Sequence, residues 1–307
     1  MSKSPKVLVV ILNWNGTRDT IACLESLRHV EYDNADVLVI DNGSVPGSAD
    51  PIKEQFPEVT MIRNEKNLGY SGGNNVGLQY ARKIGAEYAL LLNNDTTVDQ
   101  VFITELLKVA ETDDTIAAVG PKVLLAERPD RIWAVYGAVA FNQLLVRVWG
   151  YNRPKEDFTV QKDVEFVIGC GLLVSMKVLD NIGGFDENFF AYHDEVDWCK
   201  RARDSGYRIV YVPTALMWHK GCTSTGGYRD YYNARRYLIA RNSVLYAKKH
   251  ATRSEWIRFL GHLVITLPLG LVFRTVTGNL PGFILRLRGL YDGFRGKNPP
   301  LKELGLV

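Results

Sequence analysis

The 307-residue sequence predicts an α/β fold: a parallel-sheet half, a mixed-sheet half and a helical appendage. Three observations predict it. Short β-branched or leucine-rich apolar runs alternate with helical periodicity through about residue 120, the pattern of a doubly wound sheet. Amides and carboxylates follow directly on several of those runs, at the carboxyl edge where open sheets of this kind bind ligands. After Pro213 the polypeptide changes character and becomes basic and apolar by turns.

Taken in order, Val7 to Leu12, Val37 to Ile40, Val59 to Ile62 and Tyr88 to Leu92 read as buried parallel strands. The first passes straight into Asn13-Trp14-Asn15-Gly16 without a small-residue cleavage site, so it reads as a strand and not as a signal peptide. Thr17 is placed to N-cap a helix carrying Ile21, Leu24 and Leu27, and Asp99 to Ala110 forms a second amphipathic stretch. This half, residues 1–120, has the layout of a nucleotide-binding unit. In residues 121–227, Ile132 to Val148 is aromatic and β-branched, which predicts antiparallel or mixed strands. Val164 to Val174 is an apolar strand interrupted by Gly169-Cys170-Gly171, where glycines mark either a ligand's approach to the backbone or a tight core.

Residues 228–307 form the appendage. A helix-prone run from Tyr228 to His250, introduced by Gly226-Gly227, carries Arg235, Arg236, Arg241, Lys248 and Lys249. Phe259 to Phe273 is apolar for 15 residues, short of the roughly 20 a spanning helix needs, and Pro268 divides it. Leu280 to Leu285 is a second apolar stretch, between Arg274 and Arg286 and Arg288. Short apolar faces edged with basic residues suit helices lying in a bilayer interface, where each cation gains about 1 kcal/mol from anionic headgroups. A core-docking hairpin or an oligomer contact is the other reading.

Charge is segregated in the same way. Tyr228 to Val307 holds 14 Lys and Arg against 4 Asp and Glu, although the whole chain is only +3. The apolar runs make lipid a better partner for this basic region than nucleic acid. Cys23, Cys170, Cys199 and Cys222 are scattered, which argues against a zinc knuckle or a disulfide framework and favours a reducing compartment.

Four constellations carry possible chemistry. The loop Asn13-Trp14-Asn15-Gly16 and Asp41-Asn42-Gly43-Ser44 should emerge on one edge, offering a ring and amides to flank a base and Asp41 to accept from a base N–H or ribose hydroxyl. Asp-Asn-Gly-Ser is equally good turn chemistry. The segment from Asn64 to Asn75, with Asn67, Gly72, Gly73 and Asn74, lets backbone N–H groups approach a phosphate or sugar at a helix start, yet lacks Walker or GxGxxG spacing. Asn93-Asn94-Asp95 puts one carboxylate where a divalent metal and a nucleotide diphosphate would meet, and His219 in Trp218-His219-Lys220 is either a packed histidine or a second ligand. Asp194-Glu195-Val196-Asp197-Trp198 opens a helix, where acids are favoured by the dipole, and also crowds carboxylates enough to raise one pKa and make a general base.

In order and spacing, Val-Val-Ile-Leu-Asn-Trp-Asn-Gly, Asp41-Asn42-Gly-Ser44, Asn67-Leu-Gly-Tyr-Ser-Gly-Gly-Asn-Asn75, Leu-Leu-Leu-Asn-Asn-Asp95, Gly183-Gly-Phe-Asp186, Asp194-Glu195-Val-Asp197 and Trp218-His219 resemble family 2 glycosyltransferases of the rhamnosyltransferase-like branch. The likeness runs from about residue 6 to about residue 250. It implies a GT-A fold, with a Rossmann-like nucleotide-binding half and a mixed-sheet acceptor half, in residues 1–227, ahead of a helical, membrane-associating appendage. It further implies a nucleotide-sugar donor (a UDP- or dTDP-sugar), a divalent metal (Mg2+ or Mn2+), inversion at the anomeric carbon, and a saccharide or polyprenyl-linked acceptor. By position, Glu195 would be the base and Asp194 its supporting acid, with Asp95 on the metal and His219 a further metal or diphosphate ligand. The donor set would be Asn13, Asn15, Asp41, Asn67, Gly72, Gly73, Asn74 and Asn94, and the acceptor set Gly169, Cys170, Gly171 and Trp198. The enzyme would work in the cytoplasm, peripheral on the inner face of the membrane. Two departures stand out: the DxD-like motif begins with Asn93, leaving one carboxylate, and the usual Glu-Asp order is Asp194-Glu195 here. A nucleotidyltransferase and a non-catalytic sugar-nucleotide-binding or scaffold protein are the alternatives.

Overall fold

The computed structural model describes residues 4–142, 145–221, 234–276 and 280–307. Gly226-Gly227, Cys222 and the start of the helix-prone run lie outside them. The amino-terminal half alternates as expected: β1 (Val7–Asn13), α1 (Thr17–Leu27), β2 (Ala35–Asp41), α2 (Asp50–Gln55), β3 (Thr60–Arg63), α3 (Gly69–Lys83), β4 (Tyr88–Asn93), β5 (Thr96–Val98) and α4 (Phe102–Ala110). Pairing is parallel between β1 and β2, β2 and β3, and β1 and β4. The order β3-β2-β1-β4 reverses direction at β1/β4, so the crevice at a topological switch point opens beyond Asn13 and Asn93. Gly16, not Thr17, occupies the cap position of α1, and the Thr17 hydroxyl donates instead to the Ser48 carbonyl.

The second half extends the same sheet and adds a second, smaller one: β6 (Ile116–Leu125), β7 (Arg128–Ala134), β8 (Tyr136–Ala140), β9 (Leu145–Val148), β10 (Lys162–Asp163), β11 (Phe166–Val167), β12 (Gly171–Ser175), α5 (Met176–Ile182), α6 (Asp194–Asp204) and β13 (Arg208–His219). β12 runs antiparallel between β4 and β6, while β13 is parallel to β6. The apolar run expected as one interrupted strand is two. β11 pairs with β8 in a separate three-stranded sheet, and the turn at Gly169-Cys170 delivers β12 to the main one.

Among the described residues three helices complete the fold: α7 (Ala234–His250), α8 (Arg253–Val276) and α9 (Leu280–Arg295). α7 packs on α9 so closely that a Cβ at Gly289 would sit 2.4 Å from the Tyr237 carbonyl oxygen. Ala240, Val244, Tyr246 and Ala247 of α7 join the main core. The apolar stretch of α8 differs from expectation. Pro268 lies on an exposed side and does not divide it, so α8 is one 24-residue helix, about 36 Å long and sufficient by length and composition to cross a bilayer. Only Phe259 and Leu263 of this helix are buried, leaving Val264, Ile265, Leu269, Val272 and Phe273 exposed.

Candidate active site

Strand ends at the switch point and the start of α6 enclose a pocket of about 250 Å³. Asn93, Asn94 and Asp95 reach it from the end of β4, His219 from the end of β13, and Asp194 and Glu195 from the start of α6. Trp14, Asn42, Asn67 and Tyr70 form one wall, and Ile168, Gly169 and Cys170 another.

Asp95 and His219 are both buried, and His219 Nε2 lies 3.0 Å from Asp95 Oδ1. The contact lacks hydrogen-bond geometry, so Nε2 and Nδ1 are both buried without a hydrogen-bond partner. The Trp133 ring packs edge-on at 4.4 Å, fixing the imidazole. A buried imidazole with unsatisfied nitrogens against a carboxylate suits a divalent cation, whose remaining ligands would come from a diphosphate and water. Among the described residues no third His, Cys, Asp or Glu joins them. The indole N–H groups of Trp14 and Trp133 are likewise buried and unpaired, so the pocket wall holds spare donors for a ligand.

The carboxylate pair faces the same space. Ser71 Oγ donates to Asp194 Oδ2 at 3.0 Å. Burial raises the pKa of Asp194, and burial with the neighbouring Asp194 charge raises that of Glu195 well above the usual carboxylate range. The Tyr70 hydroxyl donates to the Gly169 carbonyl and is held neutral by burial and by the two acids. Such a pair shares a proton, and Glu195, half-buried at the pocket wall, is placed to exchange it.

The residues expected from sequence divide into two groups. Glu195, Asp194, Asp95, His219, Asn94, Asn67, Gly169 and Cys170 come together around the pocket. Asn13, Asn15, Asp41, Gly72, Gly73, Asn74, Gly171 and Trp198 do not line it, because their groups are engaged in the fold. Asn13 Oδ1 accepts from Gly16 N and Thr20 Oγ1, and Asn15 Oδ1 accepts from Val45 N. Asp41 accepts from Ser44 N at 3.2 Å and lies 3.5 Å from Arg63 Nε. Gly72 and Gly73 sit within α3 against Leu68 and Leu12, and Asn74 donates to the Tyr70 carbonyl. Gly171 packs under Met217, and fully buried Trp198 donates to the Gly183 carbonyl. Asn42, next to Asp41, lines the pocket without having been expected from sequence, and donates to Asn67 Oδ1 and the Gly69 carbonyl. Phe190, Tyr192 and Leu306 also line it, and no short motif announces them.

A family model described as Glycosyl transferase family 2 matches residues 8–183, more than half of the chain. The chain belongs to this glycosyltransferase family. Among relatives of the glycosyltransferase, N-acetylglucosaminyl-diphospho-decaprenol L-rhamnosyltransferase of Mycobacterium tuberculosis is 28% identical over 213 residues, covering 62% of this chain and 68% of that protein. The low-salt glycan biosynthesis hexosyltransferase Agl10 of Haloferax volcanii is 23% identical over 249 residues, covering 77% and 75%. The mannosyltransferase PcManGT from Pyrobaculum calidifontis, solved with GDP-Man and Mn2+, superposes with a TM-score of 0.58 at 16% identity, over 99% of this chain and 79% of that one. GalNAc-T7, solved with UDP, GalNAc and Mn2+, also gives 0.58 at 16% identity, over 70% of this chain and 43% of that one. These neighbours establish the GT-A fold of the glycosyltransferase.

Proposed function

We propose that this glycosyltransferase moves a sugar from a nucleotide-diphosphate donor, a UDP- or dTDP-sugar, to a hydroxyl of a saccharide or polyprenyl-linked saccharide, with inversion. One observation carries the reading: the acid pair Asp194–Glu195 and the buried Asp95–His219 pair face a single pocket. Inversion in one displacement needs a base beside the acceptor hydroxyl and stabilisation of the departing diphosphate, and the two pairs match these two demands. Glu195, ionised, takes the hydroxyl proton as its oxygen attacks the anomeric carbon. Asp194, anchored by Ser71, fixes the Glu195 carboxyl and tunes its proton affinity. On the donor side Trp14, Asn42 and Asn67 meet the nucleotide, with Asp41, Asn13 and Asn15 holding their loops. Asp95 and His219 would hold Mg2+ or Mn2+, which would supply positive charge to the departing diphosphate, a reading that the Mn2+ in two structural neighbours supports.

The rhamnosyltransferase relative, whose name specifies a decaprenol-linked acceptor, favours a lipid-linked substrate here as well. The exposed apolar side of α8, in a region rich in arginine, then docks the enzyme on the inner face of the cytoplasmic membrane. The test is a panel of nucleotide sugars with and without Mn2+ or Mg2+, reading released nucleoside diphosphate. Metal-dependent release from one donor, lost in Asp95→Ala, is the expected result. Pyrophosphate release from a nucleoside triphosphate and sugar phosphate would overturn it in favour of a nucleotidyltransferase.

A further inference from the structure

The segment that delivers Asp194 and Glu195 is strained. Phe190 has φ 64° and ψ −60°, and Ala191 N donates to the Phe189 carbonyl at 2.7 Å across it, which makes a γ-turn of the rare positive-φ kind. Tyr192 and His193 follow with φ of 69° and 68°, so three non-glycine residues of four occupy conformations that each cost on the order of 1–3 kcal/mol. Phe190 and Tyr192 line the pocket, and His193 immediately precedes the acid pair. A loop of this kind persists only where its surroundings over-determine it.

Those surroundings lie on α7, about 50 residues downstream and beyond the part of the chain matched by the family model. Asn242, fully buried, has its amide nitrogen 2.8 Å from each of the carbonyl oxygens of Phe189, Ala191 and Tyr192. Its two N–H groups thus serve three acceptors on both sides of the γ-turn. Arg241 Nη1 donates to the Asn188 carbonyl at 2.7 Å and to Asn242 Oδ1 at 2.9 Å, orienting the amide. Arg241 Nε is tied to the Lys297 carbonyl. From the opposite side Ser71 N donates to the Phe190 carbonyl, and Ser71 Oγ to Asp194.

We propose that Asn242, oriented by Arg241, is a positioning residue for the transfer, clamping residues 189–193 in the strained form that sets Glu195 at the pocket wall. It rests on the reading of Glu195 as the base. Without the clamp, loop carbonyls turn to solvent, the γ-turn relaxes, and the start of α6 shifts. A displacement of about 1 Å at a catalytic group costs roughly 100-fold in rate.

Two variants test it, Asn242→Ala and the near-isosteric Asn242→Leu, neither of which has a side-chain N–H to donate. Val244→Ala, a buried core truncation on the same helix, is the control for lost stability alone. Turnover, donor affinity by calorimetry and amide hydrogen exchange are measured below each variant's unfolding temperature. Both Asn242 variants should lose about 10- to 100-fold in turnover with donor affinity kept, and should speed exchange across residues 189–196 while β1 and β4 stay protected. Val244→Ala should keep turnover and loop protection. Wild-type loop exchange in both Asn242 variants, or a turnover loss no larger than that of Val244→Ala, would overturn the proposal. If the wild type turns over no donor, the functional reading fails, while the exchange data still decide whether Asn242 holds the loop.

Discussion

At the scale of single residues, two acids in one apolar setting are made unequal by their neighbours. Asp194 has a hydroxyl donor, while Glu195 has burial and the Asp194 charge against it, so its proton is held above the ordinary carboxylate range. A base must be ionised to act, so the acid limb of kcat/KM should lie above about pH 4.3, the unperturbed glutamate value. Asp194→Asn removes the like charge, and the limb should move to lower pH. A pH–rate profile checks this, and an unmoved limb would assign it to another group. The same shift sets a stability dependence. A carboxyl whose folded pKa is raised stabilises the fold only while protonated, and that contribution is lost as pH rises through the folded pKa. Glu195→Gln should therefore melt higher than wild type near neutral pH, with the gain vanishing below the unfolded carboxyl range. At the other pair, His219→Ala should weaken donor-dependent Mn2+ affinity by about 10- to 100-fold, read by titration calorimetry.

At the scale of elements, the site depends on backbones brought closer than side chains permit. Gly69, with φ +72°, starts α3 so near the strained loop that an added Cβ would lie 2.2 Å from the Phe190 carbonyl oxygen. Gly69→Ala should destabilise the protein by about 1–3 kcal/mol in a denaturant melt and depress turnover beyond the unfolded fraction. A loss confined to stability would separate α3 from the chemistry. The α8 helix sets the opposite problem, since its apolar side has nothing to cover it among the described residues. Replacing Val264, Ile265, Leu269 and Val272 by serine should abolish binding to anionic vesicles while sparing turnover on a soluble acceptor. This is cleaner than truncation after Ala251, which would also remove α9 from its close packing on α7. Undiminished vesicle binding would exclude α8 as the docking surface.

At the scale of the whole molecule, the amino-terminal half was legible because its strands are local, period-specific apolar runs and its pocket-lining residues follow them directly. Asn93-Asn94-Asp95 could be placed before any coordinates, as the end of a buried strand must face the crevice. Trp198 could not, because an aromatic among acids at a helix start looks accessible until its indole is seen donating to Gly183. Asp41 and Asn42 divide for a similar reason: they are adjacent in sequence, and only the folded turn shows that Asn42 lines the pocket while Asp41 accepts from Ser44 N. Charge alone sets the helical appendage apart and leaves open whether it docks on the core, and α7 shares the main core and reaches the pocket loop through Asn242. Long-range hydrogen bonds of this kind leave no periodic trace. The same polarity of charge has a measurable consequence. Vesicle binding through the basic carboxyl-terminal region should weaken steeply as ionic strength rises, the Debye length falling from about 10 Å at 0.1 M to about 3 Å at 1 M.

The central claim is that Glu195 removes the acceptor proton in a pocket that binds the donor without it. Its most direct test is Glu195→Gln, measured side by side for donor binding by calorimetry and for transfer under saturating donor and acceptor. Donor affinity equal to wild type with turnover lower by about 10²- to 10⁴-fold is the predicted result. Near-full turnover in Glu195→Gln would contradict the account and move the base to Asp194 or another group.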